Sequence, residues 1–151
     1  MVHLFDSARV EEIRVRVRSL SADRAARWGR MNVAQATAHC VAGLELALGE
    51  RTSQRSALGR VIGGVVRRLA LRDDRPMIHN APTGPGLAMH TSERDLETER
   101  GRLLAALDRF VAAGPGGLTR EPHFFFGPMT PEEWAVLQYK HLDHHLRQFG
   151  V

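Results

Sequence analysis

Thr130-Pro131-Glu132-Glu133 marks a helix start more firmly than any other stretch of this chain. Threonine can cap the free N–H groups of the first turn, proline suits the first helical position, and Glu133 closes a capping box onto the threonine. The helix so begun draws Trp134, Leu137, Gln138, His141, Leu142, His145 and Phe149 to its inward side and stops at Gly150. One turn takes 3.6 residues, so His141 and His145 stand one above the other. Two imidazoles at that spacing can grip one ion when a third ligand arrives from another helix. Surface or hydrogen-bonded core histidines are the plainer alternative. His144 lies about a hundred degrees round from His145.

Four further helices follow from apolar periodicity. Over residues 7–20, Val10, Ile13, Val17 and Leu20 recur at the helical period, with Asp6 or Ser7 as cap. The second begins at Asn32, which forms a capping box with Gln35, and ends at Gly49. It carries His39, with Gln35 a turn before and Gly43 a turn after. The missing side chain at Gly43 lets another helix come close. The third, residues 54–71, gathers Leu58, Val61, Ile62, Val65, Val66 and Leu69 on one face, bordered by Arg55, Arg60, Arg67, Arg68 and Arg72. Packing inside a bundle accounts for that face; an anionic membrane is the alternative. The fourth, capped by Thr91 or Ser92, runs to about residue 113 with a stripe of Leu96, Leu103, Leu104, Leu107, Phe110 and Val111.

The connections differ in character. Residues 21–31 form a linker with a short helix over 22–27 and with Trp28 as a core anchor, or, as the second reading, a pocket wall. Residues 73–90 hold Pro76, Pro82, Gly84, Pro85 and Gly86, too many breakers for a regular element. A long ordered loop in a compact domain is often functional; here Asn80-Ala-Pro-Thr favours a turn, and His79 and His90 flank it. In the second loop, residues 114–129, Phe124, Phe125 and Phe126 form a lid or plug, and His123 is a candidate proton donor or substrate contact.

No strand-like alternation appears, so the fold class is all-α and the architecture a helical bundle. At 151 residues the chain suits one domain with a full core. Its charge of +4 comes from arginines interleaved with 17 acids, and aromatics are only 6%. That pattern lacks the basic–aromatic interleaving of a nucleic-acid surface, and none is expected. No apolar run spans a bilayer and no leader pattern opens the chain, so a cytoplasmic protein without membrane contact is expected. Cys40 is the single cysteine; inside an apolar helical run it reads as a buried, inert thiol.

In a bundle, side chains from facing helices converge on metals. His141 and His145 with His39 make three neutral imidazoles and leave coordination positions open, the arrangement of a catalytic site. The segment from Trp28 to Cys40, Trp-Gly-Arg-Met-Asn-Val-Ala-Gln-Ala-Thr-Ala-His-Cys, together with Asn80-Ala-Pro-Thr, Phe-Phe-Gly127 and Tyr139-Lys-His-Leu-Asp-His-His-Leu-Arg-Gln-Phe-Gly150, resembles the DinB-like superfamily. More narrowly it resembles a bacterial subgroup known only as a domain of unknown function. The resemblance implies a four-helix bundle, up-down-down-up, with a long crossover holding the extra helix. It implies a divalent metal on His39, His141 and His145, a low-molecular-weight thiol or other small molecule as substrate, and a homodimer. Three-histidine ligation suits zinc, nickel, copper or iron, with zinc or nickel the expected ion. Relatives carry His-Pro before the Phe-Gly turn where this chain has Pro122-His123, so the resemblance assigns His123 no role. His144 and His123 are the candidates for assisting the chemistry, and Asp143 could orient an imidazole or be a solvated carboxylate. The alternatives are a non-catalytic binding or dimerisation module and a basic peripheral binder acting through the third helix.

Overall fold

The computed structural model describes residues 1–81, 83–84, 86–87, 89 and 93–151. Among them are five α-helices and no strand: α1 (Ser7–Arg18), α2 (Val33–Leu48), α3 (Ala57–Ala70), α4 (Leu96–Ala113) and α5 (Pro131–Gln148). A 3-10 turn, Pro115–Gly117, follows α4.

Local chemistry explains the ends. Asp6 caps α1 through Ala8 N. Both expected capping boxes form, Asn32 with Gln35 and Thr130 with Glu133. Each satisfies two N–H groups that a helix start otherwise leaves open. Gly49 ends α2 at φ +75, a backbone state that costs glycine nothing. α4 starts later than expected, at Leu96, because Asp95 accepts from Thr98 N and serves as its cap. The expected caps Thr91 and Ser92 lie outside the described residues. Residues 22–27 form no helix. Their polar groups go instead to the end of α5: Arg27 N donates to the Gln148 carbonyl at 2.9 Å and Arg24 to that of Phe149 at 3.1 Å.

α2 packs against α4 and α5, and α1 against the same two. Ile13, Val17, Val41, Leu44, Leu107, Phe110, Trp134 and Leu142 meet in the core between them. Val111, expected in the α4 stripe, faces solvent instead. Cys40 is buried in the core, and burial pushes its thiol well above the usual range. A smaller cluster of Ala38, Ala42, Leu87 and Met89, with Phe124 against it, folds the long loop onto α2.

α3 departs from expectation. Its large aliphatic side chains are exposed, and its buried residues are Gly59 and Gly63. A Cβ on Gly59 would meet the Phe125 carbonyl oxygen at 2.5 Å, and one on Gly63 would collide with the same oxygen. The two glycines, one turn apart, let α3 lie directly on the backbone of the residue 123–127 turn. Lys140 of α5 holds the far end, donating to the Ala70 carbonyl at 2.5 Å and the Asp73 carbonyl at 3.0 Å.

Candidate metal centre

α2 carries His39 to the α5 face that bears His141 and His145. The three rings stand nearly perpendicular to one another, with centroids 4.7 Å apart for His39 and His141 and 4.9 Å for each other pair. One nitrogen from each lies within 4.8 Å of the others. The approach depends on Gly43: a Cβ there would sit 2.8 Å from His141 Nδ1 and 3.0 Å from its Cε1.

The hydrogen bonds around the rings set where their protons sit. His39 Nδ1 lies 2.7 Å from the Leu87 carbonyl oxygen. A carbonyl only accepts, so Nδ1 carries the proton and Nε2 keeps its lone pair. His145 Nδ1 lies 2.8 Å from Gln148 Oε1. Gln148 donates its Nε2 to the Trp28 carbonyl at 2.5 Å, so the end facing His145 is the accepting oxygen. His145 therefore also holds its proton on Nδ1 and leaves Nε2 bare. His39 Nε2 and His141 Nε2 face each other at 2.9 Å.

Burial disfavours charge on all three rings. It lowers His39, though the Leu87 bond opposes it. It lowers His141 well below the usual value, reinforced by His39 and His145. It lowers His145 to about 3, again with His39 adding. All three are neutral at physiological pH, as ligation requires.

This donor set fits a divalent ion. A tetrahedral ion with nitrogen ligands needs those atoms about 3.3 Å apart, and here they lie between 2.9 Å, for His39 and His141, and 4.8 Å at most. Gln138 Oε1 adds a second observation. It is buried, has no hydrogen-bond partner among the described residues, and borders the same gap beside Gly43 as His141 Nδ1. A proton on His141 Nδ1 puts a donor at the edge of that gap. It also leaves two bare Nε2 atoms in contact, which a cation between them stabilises.

The other sequence candidates divide. His144 joins a neighbouring cluster: Trp28 Nε1 donates to its Nε2 at 3.3 Å, and its ring stands 5.0 Å from that of His145. His79 stacks on Trp28 at 3.8 Å. Trp28 is thus a half-buried wall beside the triad, the second of its two expected roles, and not a core anchor; Trp134 fills the core. His123 stays outside the triad. Its Nδ1 accepts from Phe125 N and Phe126 N at 3.2 and 3.1 Å, which organises the turn, and its ring packs on Trp134. Burial lowers it to about 4, with Arg55 adding. Asp143 neither orients an imidazole nor is solvated. It is buried and pairs with Arg16 at 2.9 Å and Arg147 at 2.8 Å. Two residues from each histidine, it projects to the opposite side of α5, toward α1. His90 lies outside the described residues.

Sequence reading missed Leu87 and Gln148 as the groups that aim the rings. The Leu87 contact is a backbone carbonyl, which leaves no mark in a side-chain pattern. Gln148 carries a faint one: it follows His145 by three positions, on the same helical face.

A search of curated proteins and a search of solved structures found no match. The family described as "Protein of unknown function (DUF1569)" matches residues 5–150. That match spans nearly the whole chain, and the protein belongs to this family.

Proposed function

We propose that this chain is a divalent-metal-dependent enzyme: one DinB-like domain in which α1, α2, α4 and α5 make a four-helix bundle and α3 lies in the crossover. His39, His141 and His145 hold the ion, zinc or nickel by donor type. The observation that carries this reading is the outward anchoring of two Nδ1–H groups, on the Leu87 carbonyl and on Gln148. Rings so held turn bare nitrogens inward, as ligating histidines with fixed outer partners do.

Bound there, a divalent ion acts as a Lewis acid that lowers the pKa of a coordinated water or thiol. The chain supplies the rest. Leu87 and Gln148 keep the imidazoles in one tautomer. The Phe124 side chain, seated on Ala38, Ala42, Leu87 and Met89, keeps water from the α2 side. His141 and His145 retain some exposed surface, and Trp28, His79 and His144 flank that side. A small substrate enters there, a low-molecular-weight thiol among the candidates. The reaction is then a transfer, isomerisation or hydrolysis, and the protein acts as a homodimer.

One observation favours a non-catalytic module. The 2.9 Å gap between His39 Nε2 and His141 Nε2 also suits a single N–H···N hydrogen bond, which needs no ion. Metal analysis of untagged protein, before and after reconstitution, separates the two. The proposal expects close to one equivalent, and loss of it in His39→Ala and His145→Ala. It also expects metal-dependent turnover of electrophiles with a thiol, abolished by the same changes. Clearly substoichiometric metal after reconstitution would reject it in favour of the packed module.

A further inference from the structure

The face of α3 turned away from the protein is the largest feature that the metal centre leaves unexplained. Leu58, Val61, Val65 and Leu69 repeat at helical spacing and are 59%, 82%, 60% and 56% exposed. Ile62 adds to the same stripe. Such side chains normally point inward. Here the inward positions belong to Gly59 and Gly63, and no larger residue fits against Phe125 there. The helix is held with its apolar side out by close backbone packing, not by default. The stripe covers on the order of several hundred Å², a size at which exposed apolar surface marks an interaction site.

The charges beside it indicate what it meets. α3 contains no acidic residue. Arg68 borders the stripe, Arg60 lies further round, and Arg72 follows the last turn; all three are exposed. Among the described residues no ion pair engages Arg60 or Arg68. Arg67 is turned to Glu133 at 3.2 Å, Arg55 to the His123 carbonyl, and Arg72 to Asp73, the nearest acid. An aliphatic stripe bordered by an exposed arginine, on a helix whose charged residues are all basic, is the pattern of a helix lying in the headgroup layer of an anionic membrane. A second copy of the chain fits less well. Two-fold pairing through this face would bring the same arginines together, and like charges across an interface are costly. Nucleic acid fits less well again, since the stripe has no aromatic ring on which a base could stack.

We infer that α3 is a membrane-docking helix that seats the protein on anionic lipid surfaces, with Leu58, Val61, Val65 and Leu69 in the acyl boundary and Arg68 and Arg72 at the phosphates. The docked protein is peripheral: no described helix is long and apolar enough to cross a bilayer. This inference stands independently of the metal centre.

Cosedimentation of the full chain with vesicles tests it. Vesicles of equal parts phosphatidylcholine and phosphatidylglycerol are compared with pure phosphatidylcholine, at low and high salt. The chain is expected to pellet with the anionic vesicles, to ignore the neutral ones, and to be released by salt. Arg68→Gln should weaken binding about fivefold, and Val61→Asp combined with Val65→Asp should abolish it. These positions are exposed, and circular dichroism and thermal melting check that the variants are folded. No binding to anionic vesicles at low salt overturns the inference. So does a dimer dissociated by Val61→Asp in a chain that ignores vesicles, which would assign the face to a second copy. Salt-sensitive DNA binding without vesicle binding overturns it equally.

Discussion

Gly43→Ala separates stability from metal binding. Gly43 is buried in the middle of α2 at an ordinary helical φ. In an open helix this change stabilises by about 1 kcal/mol. Here the added Cβ would sit 2.8 Å from His141 Nδ1, 3.0 Å from its Cε1 and 3.1 Å from Gln138 Oε1. Ordinary contact for such atoms begins at about 3.5 Å, so the imidazole must retreat by roughly half an ångström. Overpacking of this kind costs about 1–3 kcal/mol. The two effects oppose, and the net loss of stability is about 0–2 kcal/mol. The site is less tolerant, because a displacement of about 0.5 Å already spoils a ligand constellation. Metal affinity should fall about 10–100-fold, the range seen when groups that aim a ligand are disturbed. Competition against a chromophoric chelator measures the affinity, and urea unfolding of the metal-free protein measures the stability. Gly64→Ala is the control: nothing lies within 4 Å of its added Cβ. It should stabilise α3 by about 0.5–1 kcal/mol and leave metal binding untouched. Wild-type metal affinity in Gly43→Ala would refute the claim that His141 reaches the site through the space at residue 43.

Gln148→Leu removes the acceptor that holds His145 Nδ1 and the donor to the Trp28 carbonyl; metal affinity should drop about 10–100-fold and stability by about 1–3 kcal/mol, read by the same chelator competition and urea unfolding. Asp143→Asn removes the buried carboxylate charge shared by Arg147 and Arg16, which keeps Glu12, so unfolding should show a loss of about 1–3 kcal/mol, while metal affinity stays at the wild-type value. Acid should destabilise the protein through His123, whose folded value near 4 lies below its ordinary 6.5. The unfolded chain takes the proton first, so this contribution is complete above pH 6.5 and is lost as pH falls toward 4, by about 3 kcal/mol in all. Urea midpoints at pH 7, 5.5 and 4.5 check it, and a flat profile over that range would contradict it.

Helix ends were legible in the chain because their chemistry is local. A capping box joins residues three apart, and Gly49 meets its own conformational need, so Asn32, Gln35, Gly49, Thr130 and Glu133 announced α2 and α5 unaided. The i,i+4 placement of His141 and His145 is equally a property of one helix. The absence of an alternating pattern was enough for an all-helical chain. Where a short stretch failed its local preference, as over residues 22–27, the Arg27 backbone N–H and the Arg24 side chain bond to the end of α5 instead.

Tertiary structure decided everything that depends on which face meets which. Periodicity shows that α3 has an apolar side, but not that Gly59 and Gly63 take the inward place and turn that side to solvent. The same limit left Trp28 open between core anchor and wall, and hid Asp143 as a partner of Arg16 and the Leu87 carbonyl as the anchor of His39. A single helix fixes angles between its own side chains. Only the meeting of separate segments brings a nitrogen from residue 39 to 2.9 Å from one at residue 141.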